Sequence, residues 1–213
     1  MENKNLFLEI YEKLLKEYGF QEWWPVHQNT DKFLEISIGA ILTQNTSWKN
    51  VEKAIENLIR ENVLNWNELE KIDEEKLKTL IKPAGFFNQK AKYIKNFVKA
   101  VKNKDKSEIT RDFLLRIKGI GKETADCILL YGLNKPYFVI DAYTKRIFSR
   151  MGMVKKDIEY DELQLIFKKN LPQDIDIYKE YHALIVEHGK NVCKKKPDCS
   201  VCVLQHLCSK IIS

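Results

Sequence analysis

Residues Leu114–Ile147 read LLRIKGIGKETADCILLYGLNKPYFVIDAYTKRI. Phe113, Leu114 and Ile117 recur at helical spacing ahead of Gly119 and Gly121, and Ala125, Ile128, Leu129 and Leu133 do so behind them. That pattern predicts two short helices joined by a tight turn, the glycines permitting a sharp reversal and close backbone approach. Two other glycine-rich readings fail. A P-loop needs a glycine where Arg116 stands and a Ser or Thr where Glu123 stands. A dinucleotide fingerprint needs a third glycine where Thr124 stands and a strand where DFLLRI reads as helix, so the acid at Asp141 matches its spacing by coincidence. The second helix presents unpaired N–H groups and a positive dipole end, and Lys122 adds a cation, which together suit a phosphate. On the hairpin alone, an ordinary helical turn that binds nothing fits equally.

Working outward, the 213-residue chain is 44% hydrophobic and 31% charged, with 8 Gly and 5 Pro, so it reads as ordered and large enough for two small domains. Its net charge of +6 suits a polyanionic partner. The N-terminus carries too many charges for a signal peptide and no window resembles a membrane span, so a soluble, cytoplasmic protein with reduced thiols is expected. Helical stripes recur: Ile10, Leu14 and Leu15; Phe33, Ile36, Ala40 and Ile41; Val51, Ala54, Ile55, Leu58 and Ile59; Tyr93, Ile94, Phe97, Val98 and Val101; Tyr178, Tyr181, Leu184, Ile185 and His188. Lys92, Lys95, Lys99 and Lys102 lie on the outer face of the fourth stripe. Only Tyr137–Ile140 resembles a strand, and one strand makes no sheet. The predicted class is all-α.

Cys193, Cys199, Cys202 and Cys208 fall within sixteen residues, spaced x5, x2 and x5. Four thiolates so placed can wrap one metal centre, and both zinc and an iron–sulfur cluster suit a four-cysteine set. The remaining Cys127 reads as a buried small hydrophobe.

Leu115–Arg150 resembles the helix-hairpin-helix, Gly/Pro-rich loop and Asp signature of the endonuclease III superfamily of DNA glycosylases. Leu42-Thr43-Gln44-Asn45-Thr46 resembles that family's motif near the residue inserted into the base gap, and the four tail cysteines resemble its iron–sulfur loop. The resemblance implies two helical domains flanking a DNA-binding cleft. One is a six-helix domain over 26–136; the other joins 1–25 to 137–213 and carries a [4Fe–4S] loop at 193–208. It implies a monomer, nucleoid-associated in a prokaryotic cytoplasm, that flips a damaged base from double-stranded DNA and cuts its N-glycosidic bond. Asp141 would be the catalytic carboxylate, and Gly119, Gly121 and Lys122 would contact phosphate. Gln44 would fill the gap, although a buried polar helix residue is the plain alternative. Asp141 also has a plain reading as the N-cap of the next helix, and both roles can hold together.

Glu123 departs from the family pattern. Bifunctional members carry there a lysine that forms a Schiff base, whereas an acid cannot form an imine. Lys122 is turned roughly 100° away along a helix. A hydrolytic, monofunctional glycosylase is therefore expected. Trp23-Trp24-Pro25, Trp48, Pro83–Lys90 and the run Lys118–Asp126 are similar to the family's 3-methyladenine-excising branch, in which aromatic rings sandwich the base. An alkylated purine is cationic with a weakened bond, so stacking and cation–π attraction would recognise it. Trp23, Trp24 and Trp48 are the candidates, some of which would otherwise fill the core. That branch does not regularly carry the cluster cysteines. A bifunctional enzyme acting on oxidised pyrimidines therefore remains an alternative, and a non-catalytic lesion-binding protein is a third.

Overall fold

A computed structural model of the chain describes residues 5–211. Among them every regular element is helical, and the run before Asp141 is extended chain that joins no sheet. The chain divides into two compact units, Trp24–Lys135 and Met1–Trp23 with Pro136–Ser213. The crossings lie two residues and one residue earlier than the boundaries drawn from the sequence.

The unit Trp24–Lys135 is built around one buried helix. Its elements are α2 (Lys32–Leu42), α3 (Trp48–Arg60), α4 (Trp66–Lys71), α5 (Glu74–Ile81), α6 (Phe87–Val101), α7 (Arg111–Leu115) and α8 (Lys122–Cys127); the last continues as a π-helical turn, Ile128–Gly132. Asp31 starts α2 by accepting from the Leu34 amide, as Asp N-caps do. From Phe33 to Leu42 every α2 residue is buried. Its neighbours are the π turn, α3, α6 and α8, which explains why it is apolar on nearly every side, the buried Glu35 and Ser37 excepted. Between α7 and α8, Arg111 Nε lies 2.7 Å from the fully buried Asp126 carboxylate, so the buried charge is paired, as burial requires.

The second unit contains α1 (Leu6–Tyr18), α9 (Ala142–Arg150), α10 (Tyr160–Asn170) and α11 (Ile175–Asn191). Gly19 ends α1 at φ +69°, a left-handed stop that glycine takes without strain. Helix α11 packs on α1 and α9. Gly189 allows the close approach to α9, because a Cβ there would stand 2.4 Å from the Tyr143 ring. Phe7, Phe138, Phe148, Phe167 and Tyr181 interlock as ring pairs in the core. Beyond Val192 the described residues form only two 3-10 turns, Cys199–Val201 and Gln205–Leu207.

Candidate functional site

The two glycines of the hairpin have different reasons to be there. Gly119 sits at φ +103°, and a Cβ would lie 2.1 Å from Tyr93 Cδ1. Both backbone and space therefore demand glycine. Gly121 is the N-cap of α8 at φ −90°, with nothing within 4 Å of an added Cβ. It offers the first-turn amides no side-chain acceptor, so those donors and the exposed Lys122 and Glu123 face outward at the helix start. Gln44 Nε2 donates to the Gly119 carbonyl and to Thr124 Oγ1, 3.0 Å each. Asn96 Nδ2 donates to the Lys118 carbonyl at 3.1 Å. The turn is thus held from α6 and from the segment after α2.

In the same unit Trp24 and Trp48 meet edge to face, ring centroids 5.0 Å apart at 86°. Trp24 also meets Tyr131 at 5.4 Å and lies against Gly39, whose missing Cβ would approach its ring to 3.1 Å. These two indoles, with Pro25, Glu35 and Ile55 among others, line a cavity of about 210 Å³. Glu35 is buried and accepts from the His27 amide, from His27 Nδ1 at 2.8 Å and from the Thr30 hydroxyl. Trp48 Nε1 donates to Glu52 at 2.7 Å. Trp23 belongs to the other unit: its ring stands edge-on to His182 at 5.9 Å, with Lys190 Nζ 5.5 Å from its centroid.

Asp141 caps α9 and is 9% exposed. Oδ1 accepts from both the amide and the hydroxyl of Thr144, each at 2.7 Å. These two bonds fix the rotamer, and the helix dipole offsets the carboxylate charge. Oδ2 instead faces His182 Nε2 at 3.8 Å, beyond hydrogen-bond length. Burial lowers the His182 pKa more than the Asp141 charge raises it, so the imidazole is neutral near pH 7. The geometry leaves one carboxylate oxygen with its lone pairs uncommitted, set by a rigid cap.

The four tail cysteines are free and line one cavity with Arg150, Val192, Pro197, Asp198 and Lys210. Among the described residues no three His, Cys, Asp or Glu side chains are grouped to hold a single metal ion. Four thiols around one cavity match in number both a tetrahedral zinc site and an iron–sulfur cluster. Donors surround the sulfurs. Arg150 Nη1 lies 3.4 Å from Cys193 Sγ and Arg150 Nη2 donates to the Lys195 carbonyl at 2.9 Å. Arg146 holds the carbonyls of Gly189 and Cys193, and the Lys210 amide points at Cys208 Sγ. His188 Nε2 lies 3.5 Å from Cys202 Sγ while its Nδ1 lies 2.8 Å from Tyr18 Oη. Burial pushes His188 down to about 4 and Tyr18 up to about 12. The phenol therefore donates to Nδ1, leaving Nε2–H for the sulfur.

Sequence reading passed over three residues. His182 lies on α11 beside residues read as core. Phe86 is 63% exposed at φ +46°, a strained place for a large aromatic; its position directly after Gly85 was the available signal. Lys90 is 2% exposed, and nothing in a helical stripe tells a buried lysine from a solvated one.

Residues 38–173 match the family model of the HhH-GPD superfamily base excision DNA repair protein. A Methanocaldococcus jannaschii protein named as a DNA repair glycosylase is 52% identical over 97% of this chain and 98% of its own length. Endonuclease III of Thermotoga maritima is 33% identical over 85% of this chain and 84% of its own. The crystal structure of the H. pylori 3-methyladenine DNA glycosylase bound to 1,N6-ethenoadenine superposes with a TM-score of 0.74 at 32% identity, covering 87% of this chain and 96% of that one.

Proposed function

Because the chain belongs to the HhH-GPD superfamily of base excision DNA repair proteins and is a DNA N-glycosylase, we propose that it extrudes an alkylated purine from duplex DNA and hydrolyses its N-glycosidic bond without cutting the strand. The observation that carries this reading is the cavity walled by Trp24 and Trp48 with the buried carboxylate of Glu35. Trp24 and Trp48 cross edge to face, so they do not sandwich a ring between them as the sequence suggested; the indole surface left at the cavity and the Glu35 carboxylate favour a cationic base over its neutral parent. The similar H. pylori enzyme, bound to a modified adenine, supports the same substrate class. The named likeness to endonuclease III leaves oxidised pyrimidines as the competing class.

The reaction follows from the residues. The first-turn amides of α8, with Lys122 and the glycine turn, grip a backbone phosphate. The target nucleotide leaves the stack, which costs least for a damaged base, and Gln44 gives up its bonds to the Gly119 carbonyl and the Thr124 hydroxyl to occupy the vacated space. As the C1′–N bond lengthens, positive charge grows on the sugar, and Asp141 Oδ2 opposes it. Water attacks C1′, the bond electrons leave with the base, and the water's proton passes to the carboxylate or to solvent. A cationic purine departs neutral, so no strong acid is required at the leaving nitrogen. Glu123 offers no amine for an imine, and the strand stays intact.

Cys193, Cys199, Cys202 and Cys208 would hold a [4Fe–4S] cluster whose chemistry is structural, tying the loop of Lys194, Lys195 and Lys196 into a phosphate-facing shape.

The deciding experiment is a panel of duplexes bearing 3-methyladenine, 7-methylguanine, 1,N6-ethenoadenine, thymine glycol or uracil, scored separately for free base and strand scission. Release of alkylated purines without scission, and no borohydride-trapped adduct, is expected. Preference for thymine glycol with a trapped adduct would replace this reading with the bifunctional one. Asp141→Asn should cut base release on the order of 100-fold or more while Tm holds, since Asn still caps α9. An active Asp141→Asn enzyme would remove the catalytic assignment.

A further inference from the structure

Lys90 projects from α6 into the core of its unit, and its Nζ donates to the carbonyls of Leu42 and Ala84, 2.8 Å each. Leu42 ends α2, and Gln44 and Asn45 follow; Ala84 ends a 3-10 turn, and Phe86 follows it by two residues. One ammonium therefore joins the roots of two projecting tips. Both tips turn through the left-handed region: Asn45 is exposed at φ +54°, which asparagine tolerates, and Phe86 is exposed at φ +46°, which is strained for a large aromatic. Positive φ at non-glycine residues persists only where the surroundings over-determine it.

An ammonium is an expensive choice for such a place. Burial alone pushes Lys90 from 10.5 down to about 8, and an apolar side chain would fill the volume without that desolvation. What an apolar residue cannot do is bind two carbonyls belonging to different segments. We infer that Lys90 is a positioning residue that sets the spacing of the Gln44–Asn45 tip and the Phe86 tip so that both engage the duplex together during base extrusion, an inference that rests on the glycosylase reading above. The clamp acts before the bond breaks, so its effect belongs to the extrusion step.

The test compares Lys90→Met with wild type on the same lesion in two settings: a fully paired duplex, and a duplex in which the lesion faces an abasic site and is already unpaired. On the paired duplex kcat/KM should fall on the order of 100-fold, as misplacement of about 1 Å can cause. On the pre-opened duplex the loss should shrink to about threefold or less, because extrusion there costs little. A 2-aminopurine beside the lesion should brighten with wild type and stay dim with Lys90→Met on the paired duplex. Equal losses on both duplexes, or no loss on either, overturn the inference. Should Lys90→Met fail to fold, the cycle Gln44→Ala, Phe86→Ala and the double variant decides: a double variant no more than about threefold worse than the poorer single supports joint action. Multiplicative losses refute it. Wild type that releases no base from either duplex would refute the substrate reading, a result distinct from any of these.

Discussion

The glycine turn at residues 117–121 and the cysteine loop at residues 193–208 are both irregular backbone, yet they are secured in opposite ways. The turn is shaped by its own sterics. Gly119 takes a left-handed φ against Tyr93, and Gln44 and Asn96 bind the carbonyls it exposes. The cysteine loop's own bonds are confined to short turns around Asp198–Ser200 and Cys202–Leu207, and it borrows donors from α9 and α11 through Arg146, Arg150 and His188. One region is pre-organised by packing; the other is held by side chains reaching in from two helices and, on the reading proposed above, by a bound cluster.

If the four cysteines hold the proposed cluster, its removal gives the largest expected effect. Four uncompensated thiols cannot replace metal–sulfur bonds, and metal binding is folding free energy for a loop of this kind. Chelation with oxidation should expose residues 193–208 to protease and erase their amide protection, while amides of the hairpin keep theirs. Hydrogen exchange read by mass spectrometry separates the two regions. Equal loss of protection in both would break the comparison.

Gly119→Ala comes next and attacks the other side. A methyl group there meets Tyr93 and forces the residue out of an accessible conformation, at a cost of roughly 3 kcal/mol or more. Thermal unfolding of the holoprotein measures it. A smaller loss would mean that Tyr93 swings clear and the turn is less pre-organised than its packing indicates.

Arg150→Met should loosen the cysteine loop by a lesser amount. The arginine holds the Lys195 carbonyl and lies against Cys193 Sγ. Losing a charged donor costs about 1–3 kcal/mol, expressed locally as faster cluster loss to a chelator with little change in overall Tm. Unchanged release kinetics would show that the cluster ligands alone order the loop.

How much of this was legible in the sequence depended on the range of the forces involved. The hairpin was readable because glycine spacing and helical periodicity are local signals, and the capping role of Asp141 was readable for the same reason. The support of Gly119 by Tyr93 was not, since Tyr93 lies on α6, distant in sequence from the turn. Lys95 and Lys102 were placed on a solvated face, yet Lys95 binds the carbonyls of Glu70 and Ile72, and Lys102 pairs with Glu70. Periodicity names a face but not the loop that folds back over it. Adjacent tryptophans make the same point: Trp23 and Trp24 fall on either side of a unit boundary, which no propensity signals. The cysteine spacing pointed to a metal centre, whereas His188 and Arg150, which lie against Cys202 and Cys193, were hidden in ordinary helical stripes.

Lys90 sharpens the comparison through pH, because Gln44 reaches the glycine turn from a segment that Lys90 anchors. Its folded pKa of about 8 lies below the ordinary 10.5. Between those values the unfolded chain binds more protons, so stability rises with pH in that window relative to a variant lacking the amine. Below about pH 8 the unfavourable burial of the charge is fully present. The difference in Tm between wild type and Lys90→Met should therefore shift in favour of wild type from pH 8 to pH 10. A pH-independent difference would place the Lys90 pKa at its ordinary value.

Gly121→Ala should have the smallest effect on stability and is the most informative about the turn. Its φ of −90° suits any residue and an added methyl meets open space. Alanine is the poorer N-cap, but it also reduces unfolded-chain entropy by a comparable amount. The two nearly cancel, leaving a change within about 0.5 kcal/mol. Glycine is therefore not required here by the fold, whereas Gly119 is. If Gly121 is present so that a phosphate can approach the α8 amides, Gly121→Ala should weaken binding to undamaged duplex several-fold at fixed salt with Tm unchanged. A variant that binds DNA as tightly as wild type would leave Gly119 as the one glycine of the pair with a physical reason, and would move the phosphate contact elsewhere on the helix start.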